Sequence, residues 1–192
     1  MKKRTIQITA AIAGLTAIIM SLAAPADAAS TSSSPGVVTI CSGTELSTTD
    51  SLGKPLSPSQ LKVYEDFLAL KCANPNAPSH GSAVIGASQG VSPLHVISGV
   101  GDLTAHATVT PGNMYWWTTA SSMPTGTSKT LNCMDQFNYG TFVACGSASG
   151  SGSSLSTVTN WICPVPGIHY VVEAFLTYKG SDYWDTKEGT TL

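Results

Sequence analysis

From Gly81 onward, the chain consists of short runs rich in Thr, Val, Ser and aromatic residues. Gly, Pro and Asn interrupt these runs about every 8–12 residues, which is typical of a chain built mainly from β-strands. The run Leu103–Thr110 alternates apolar and polar side chains, as a strand with one buried face does. The run His169–Tyr178 is apolar on both faces and is therefore expected at the centre of a sheet. We predict a mainly β fold, an antiparallel β-sandwich, with further strands at 82–86, 94–98, 114–119, 129–134, 141–145 and 156–163.

One N-terminal helix is predicted before this region, over about residues 58–72. Ser57 is a candidate N-cap, Pro58 fits the first helical position, and Gln60 completes a capping box. The following residues recur on one helical face: Leu61, Tyr64, Phe67, Leu68 and Cys72. An apolar stripe of this kind usually packs on a core, so we expect the helix to lie against a sheet. Residues 42–57 are predicted to form a loop, and the Gly/Ser-rich residues 146–154 a flexible one.

Residues 1–28 have the pattern of a secretory signal peptide. Residues 2–4 are Lys-Lys-Arg, residues 6–24 are mostly apolar, and residues 26–28 form an Ala-Asp-Ala cleavage site. The alternative is an uncleaved membrane anchor. No later segment reaches the roughly 18 continuous apolar residues of a membrane span. We expect a secreted chain with a disordered leader at 29–36 and a single β-rich domain at 37–192.

Charge argues against nucleic acid as a partner. The whole chain has nine basic and eleven acidic residues, and the predicted signal peptide contains three and one of these. Six lysines and ten acids remain, a formal charge of −4, and no arginine is left. Binding to phosphates or to an anionic membrane surface needs clustered basic residues, whereas these lysines are scattered. No cofactor is predicted.

Five cysteines follow the signal peptide, and export makes disulfide bonds the expected state. We pair Cys133 with Cys145, which lie on neighbouring predicted strands, and Cys41 with Cys72, which bracket the helical region. Cys163 is then available for an intermolecular disulfide. A bond between Cys145 and Cys163, with Cys133 unpaired, is the alternative.

Gly86–Gly90 reads Gly-Ala-Ser-Gln-Gly, a G-x-S-x-G motif that places Ser88 at a tight turn after an apolar run. Here the chain resembles cutinase-type serine hydrolases, whose motif also commonly contains Ser-Gln-Gly. The resemblance implies a catalytic triad of Ser88, Asp135 and His169, with Asp102 as a substitute acid. However, the residues after the motif are β-type and include Pro93, so the same motif also fits a glycine-rich β-turn.

The histidines, at positions 80, 95, 106 and 169, lack the spacing of a metal pair, and no metal site is predicted. Asp182, Asp185 and Glu188 recur at three-residue steps, which suits either a weak calcium site or a solvated tail. The tail is the preferred interpretation.

Aromatic residues are the other functional signal. Tyr115, Trp116 and Trp117 are consecutive on a predicted strand, so their rings alternate between its faces, and Tyr183 and Trp184 lie among polar residues. Exposed aromatic rings beside polar groups suit stacking on sugars, and the alternative is that the rings fill the core. We therefore expect a secreted, non-enzymatic β-sandwich that binds an extracellular glycan or a protein surface. The serine hydrolase is the main alternative, and a secreted toxin or inhibitor is a further one.

Overall fold

The computed structural model describes residues 36–76, 80–84, 96–97 and 100–192. The signal peptide prediction, nearly all of the leader, Ser88 and His95 lie outside these residues. The described parts contain one helix and twelve strands: α1 (Pro58–Ala73), β1 (Val37–Cys41), β2 (Thr44–Asp50), β3 (His80–Val84), β4 (Val96–Ile97), β5 (Gly101–Thr110), β6 (Asn113–Ser121), β7 (Lys129–Phe137), β8 (Phe142–Gly150), β9 (Leu155–Ser156), β10 (Asn160–Ile162), β11 (His169–Tyr178) and β12 (Ser181–Thr190).

The strands form two sheets. The larger sheet has the order β1-β2-β8-β7-β11-β12-β3, and the smaller one has the order β10-β6-β5-β4, with β9 also paired to β6. Neighbouring strands are antiparallel except β2 and β8, which run parallel. The predicted fold class, mainly β with a sandwich-like arrangement and an N-terminal helix, is confirmed.

The main core lies between the two sheets, where β5 and β6 pack on β7, β11 and β12. As the sequence predicts, β11 is internal and lies between β7 and β12. Val172, Ala174 and Leu176 of β11 contribute to this core and are at most 1% exposed. Phe175 lies on the opposite face of β11 and packs toward α1. Both faces of β11 are therefore covered.

Helix α1 covers the outer face of the larger sheet. Ser57 Oγ accepts a hydrogen bond from the Gln60 backbone N–H, and the Gln60 side chain accepts one from the Ser57 backbone N–H, so the predicted capping box is present. The ring of Phe67 stacks on Phe175 with 4.3 Å between centroids. Trp184 of β12, which is 1% exposed, belongs to the same cluster. The molecule consequently has three layers: the helix, the larger sheet and the smaller sheet.

Several segments predicted as irregular are strands. Residues 42–57 contain β2, the Gly/Ser-rich stretch 146–154 begins as the second half of β8, and the predicted tail is β12. The side chains of these segments are mostly polar, so the sequence does not indicate a strand. Each segment is nevertheless a strand, because neighbouring strands form backbone hydrogen bonds with it. The predicted strand 156–163 is interrupted and forms parts of β9 and β10.

Two disulfide bonds join Cys41 to Cys72 and Cys133 to Cys145, the pairs that the sequence favours. The first ties the edge strand β1 to the end of α1. The second lies in the main core, where Cys145 occupies an irregularity in the pairing of β7 with β8. Cys163 follows β10, is exposed and has a free thiol.

Candidate functional site

A groove of about 790 Å³ lies where the smaller sheet ends at β10 and the larger sheet continues through β8 and β2. We call it the lateral groove. Strands from both sheets and the turn after β2 contribute to its walls. The lining residues used below are Asp50, Ser51, Leu52, Tyr64, Trp116, Asp135, Phe137, Val158, Asn160 and Trp161.

Asp135 of β7 is the most deeply placed charged residue of the lateral groove. Its side chain is 4% exposed, and its Oδ2 atom accepts a hydrogen bond of 2.9 Å from Nε1 of Trp116 across the sandwich. Burial raises the pKa of Asp135 to about 7, although the hydrogen bond from Trp116 acts in the opposite direction. The carboxyl group therefore titrates near neutral pH. Within the described residues, the hydrogen bond from Trp116 is the one that the carboxyl group of Asp135 accepts.

The polar side of the lateral groove is held in place by hydrogen bonds. Asn160 Nδ2 donates to the carbonyl oxygen of Cys145 at 2.9 Å, and Ser51 Oγ donates to Asn160 Oδ1 at 3.3 Å. Asp50 accepts the backbone N–H groups of Leu52 and Lys54 at 3.0 and 2.9 Å, which shapes the turn after β2. These bonds link β10 to the larger sheet and keep the two sides of the groove together.

Apolar side chains at the rim of the lateral groove are unusually exposed. Leu52, Val158 and Trp161 are 89%, 69% and 62% exposed. Inside the groove, the aromatic rings come from Trp116, Phe137 and the helix residue Tyr64. The groove thus combines aromatic and apolar walls with two carboxylates, Asp50 and Asp135, and the described lining includes no lysine, arginine or histidine.

A second candidate surface is the outer face of the smaller sheet, which we call the aromatic face. Tyr115 of β6 lies directly opposite Trp161 of β10, and the two side chains are 39% and 62% exposed. Trp117 lies two residues along β6 on the same face and stacks on His106 with 4.7 Å between centroids. His106 is itself held by a hydrogen bond to Thr119. Trp161 borders both this face and the lateral groove.

The aromatic residues predicted from the sequence divide between core and surface. Trp116 and Trp184 are 3% and 1% exposed, so their rings follow the alternative in which they fill the core. Tyr183 is partly buried and packs against the main core. Tyr115 and Trp117 lie on the aromatic face. The sequence does not predict Trp161 as a site residue. Its strand, Asn160–Ile162, is only three residues long, so alternation of side chains along it is too short to serve as a signal.

The structure does not bring Asp135 and His169 together. Asp135 pairs with Val172, so the two share the inner face of the larger sheet. His169 is three residues before Val172 on the same strand and therefore points to the opposite face. There its ring stacks on Tyr139, with 4.4 Å between centroids. Ser88 lies outside the described residues, and Asp102 lies on β5 of the other sheet.

The three acidic residues of β12 do not all lie on one face of the strand. Because β12 pairs regularly with β11, Asp182 and Glu188 lie on one face and Asp185 on the other. Within the described ranges, no cluster of three or more His, Cys, Asp or Glu side chains is arranged to hold a metal ion. The described part of the chain also lacks a helix of the length and apolarity that crossing a membrane requires.

Comparisons with known proteins provide no family for this chain: no family model, no curated protein and no solved structure matches it.

Proposed function

We propose that this protein is a secreted, non-enzymatic binding protein that holds a carbohydrate chain on its aromatic face. The observation that carries the proposal is the pairing of Trp161 with Tyr115, two exposed rings in direct register at the edge of the smaller sheet. Directly opposite side chains of an antiparallel pair are about 5 Å apart. The two rings together therefore offer a continuous apolar platform.

Threonine hydroxyl groups border this platform. Thr108 lies opposite Tyr115, and Thr104 lies opposite Thr119, on the same face of the smaller sheet. A sugar ring has an apolar C–H face and a polar edge, so aromatic rings beside hydroxyl groups match both parts. The stacking of Trp117 on His106 holds a third ring in a defined orientation before any ligand arrives, which lowers the entropic cost of binding.

Secretion is part of the same proposal. The two disulfide bonds are of the kind that persists in an oxidising compartment. The apolar run and the Ala-Asp-Ala site near the start of the sequence have the pattern of a secretory signal peptide, which directs export. Expression of the full chain, followed by N-terminal sequencing of protein recovered from the medium, tests this part and is expected to give a chain beginning at Ala29.

Binding is tested by incubating the protein with insoluble cellulose, chitin and cell-wall fractions, and with soluble polysaccharides in affinity electrophoresis. We expect at least one of these ligands to retain the protein. Trp161→Ala and Tyr115→Ala should each weaken that retention about tenfold, because each removes a stacking platform of roughly 1–1.5 kcal/mol.

Tyr139→Ala provides the matched control. Tyr139 is 72% exposed and is likewise aromatic, but it lies in the turn after β7, away from the aromatic face. Its loss should leave retention unchanged. Retention that is equal in the Trp161, Tyr115 and Tyr139 variants, or no retention by any polysaccharide, would overturn the carbohydrate proposal.

A further inference from the structure

The lateral groove has a chemical character different from that of the aromatic face. Asp50 and Asp135 give its lining two carboxylates, and the described lining contains no basic side chain to balance them. A buried charge is costly unless a partner of opposite charge or several hydrogen bonds compensate for it. The Trp116 Nε1 donor satisfies one oxygen of Asp135, and in the part of the chain that the structure describes no cation pairs with its charge.

The aromatic rings that line the lateral groove also favour a positively charged occupant. Trp116, Phe137 and Tyr64 line the interior, and Trp161 stands at the rim. The face of an aromatic ring carries negative potential and attracts a cation, an effect that strengthens when water is excluded. The carboxylate and the aromatic rings of the groove therefore each favour a cation, for two independent physical reasons.

The size and walls of the groove narrow the class of cation. A groove of about 790 Å³ lies within the range typical of small-molecule sites and is much larger than a bare metal ion needs. Metal ions of the calcium and magnesium type also require several converging oxygens, whereas Asp50 uses one of its oxygens for the turn after β2. The exposed apolar rim, formed by Leu52, Val158 and Trp161, suits an aliphatic chain.

We propose that the lateral groove binds an aliphatic primary ammonium group, whose charge approaches Asp135 and whose carbon chain lies along Leu52, Val158 and Trp161. The ammonium belongs either to a free diamine or to a lysine side chain of a peptide. This site is independent of carbohydrate binding, although Trp161 borders both surfaces.

The experiment uses isothermal titration calorimetry at pH 8, where the carboxyl group of Asp135 is largely ionised. The probes are 1,5-diaminopentane, Nα-acetyl-lysine methylamide and the neutral 1,5-pentanediol. We expect one or both amines to bind and the diol to bind at least tenfold more weakly. Binding of the diamine alone indicates a free amine as the natural ligand, and binding of the lysine derivative alone indicates a peptide; either result supports the site.

Two variants locate the binding. Asp135→Asn keeps an acceptor for Trp116 but removes the charge, and it should weaken amine binding about tenfold. Leu52→Lys changes a side chain that is 89% exposed, so it leaves the fold intact, and its charge at the rim should weaken amine binding about threefold at low salt. Glu188→Gln makes an equal charge change outside the groove and should have no effect.

Equal binding of the diol and the amines, or unchanged amine binding in both the Asp135 and Leu52 variants, would overturn the proposal. Tyr115→Ala separates the two functions, because Tyr115 does not line the lateral groove. That variant should lose polysaccharide retention and keep amine binding. Failure of the carbohydrate assay therefore leaves the amine assay interpretable, and the reverse also holds.

Discussion

Lys71, in the last turn of α1, forms an ion pair with Glu173, near the middle of β11. Glu173 is 2% exposed and also accepts a hydrogen bond of 2.6 Å from Thr186 Oγ1 of β12. Burial raises the pKa of Glu173, while Lys71 and Thr186 act to lower it. The pair therefore joins the helix layer to an internal strand of the larger sheet and compensates for a buried carboxylate.

Lys71→Met should lower the free energy of unfolding by about 3 kcal/mol at pH 8, because it leaves Glu173 buried without its cation. The loss should decrease as the pH is lowered from 8 to 5, because burial raises the pKa of Glu173 and protonation of its carboxyl group removes the uncompensated charge. Urea unfolding at the two pH values measures both effects. Lys62→Met is the control: Lys62 pairs with Asp66 at the surface, so its loss should cost less than about 0.5 kcal/mol. Equal losses for the two variants would contradict the structural role of the buried pair.

Asp135 gives the protein a pH-dependent stability. Burial raises the pKa of Asp135 from its ordinary value of 3.8 to about 7. The folded state therefore binds this proton more tightly than the unfolded state does. Stability from this group is present at low pH and is lost as the pH rises toward 7 and above. Between pH 5 and pH 8, wild-type protein should lose about 2 kcal/mol more stability than Asp135→Asn does. Parallel pH profiles of the two proteins in urea unfolding would show this assignment to be wrong.

Cys163 should be the one cysteine that reacts with iodoacetamide in the unreduced, folded protein. The other four are in disulfide bonds, whereas Cys163 is exposed. Intact-mass measurement should show a single adduct, and Cys163→Ser should show none. Two or more adducts would contradict the observed pairing, and a doubled mass that a reductant halves would place Cys163 in an intermolecular disulfide.

Gly101→Ala should be strongly destabilising. Gly101 opens β5 with a φ of +114°, and a Cβ atom there would overlap the carbonyl oxygen of Ser121 on the paired strand. Because the backbone fixes the position of a Cβ atom and the oxygen belongs to the backbone of Ser121, the clash cannot be relieved by a rotamer change. We expect a loss of at least about 2 kcal/mol in urea unfolding. Gly152→Ala is the matched control, since its nearest neighbouring atom would be 3.9 Å away and its φ is not positive.

Helix α1 and strand β11 can be predicted from the sequence because their signals are local. The Ser57–Gln60 capping box and the apolar stripe of α1 lie within a few turns, and the two apolar faces of β11 are visible in ten residues. β2 carries no such signal. It contains one buried side chain, Leu46, and it pairs antiparallel with the edge strand β1 and parallel with β8, which lies far away in the sequence. The carboxylates of β12 likewise do not indicate a strand, although β12 pairs with a neighbouring strand on each side.

The candidate site depends even more on tertiary structure. Asp135 is an ordinary polar residue of a strand until β6 brings Trp116 within hydrogen-bonding distance. Trp161 is exposed because β10 is the edge of the smaller sheet, a position that no neighbouring residue indicates. Local patterning therefore identified Tyr115 and Trp117, on a long strand, but not the ring that lies opposite Tyr115.

The parallel pairing of β2 with β8 also has a kinetic consequence. The hairpins β5–β6 and β11–β12 close through two-residue turns, at 111–112 and 179–180, and form from neighbours in the chain. Contact between β2 and β8 instead has to close a loop that includes α1 and the five strands β3 to β7. We therefore expect the hairpins β5–β6 and β11–β12 to assemble first, and β1, β2 and α1 to dock last. Oxidation of Cys41 and Cys72 would then complete folding, after the sandwich core has already formed.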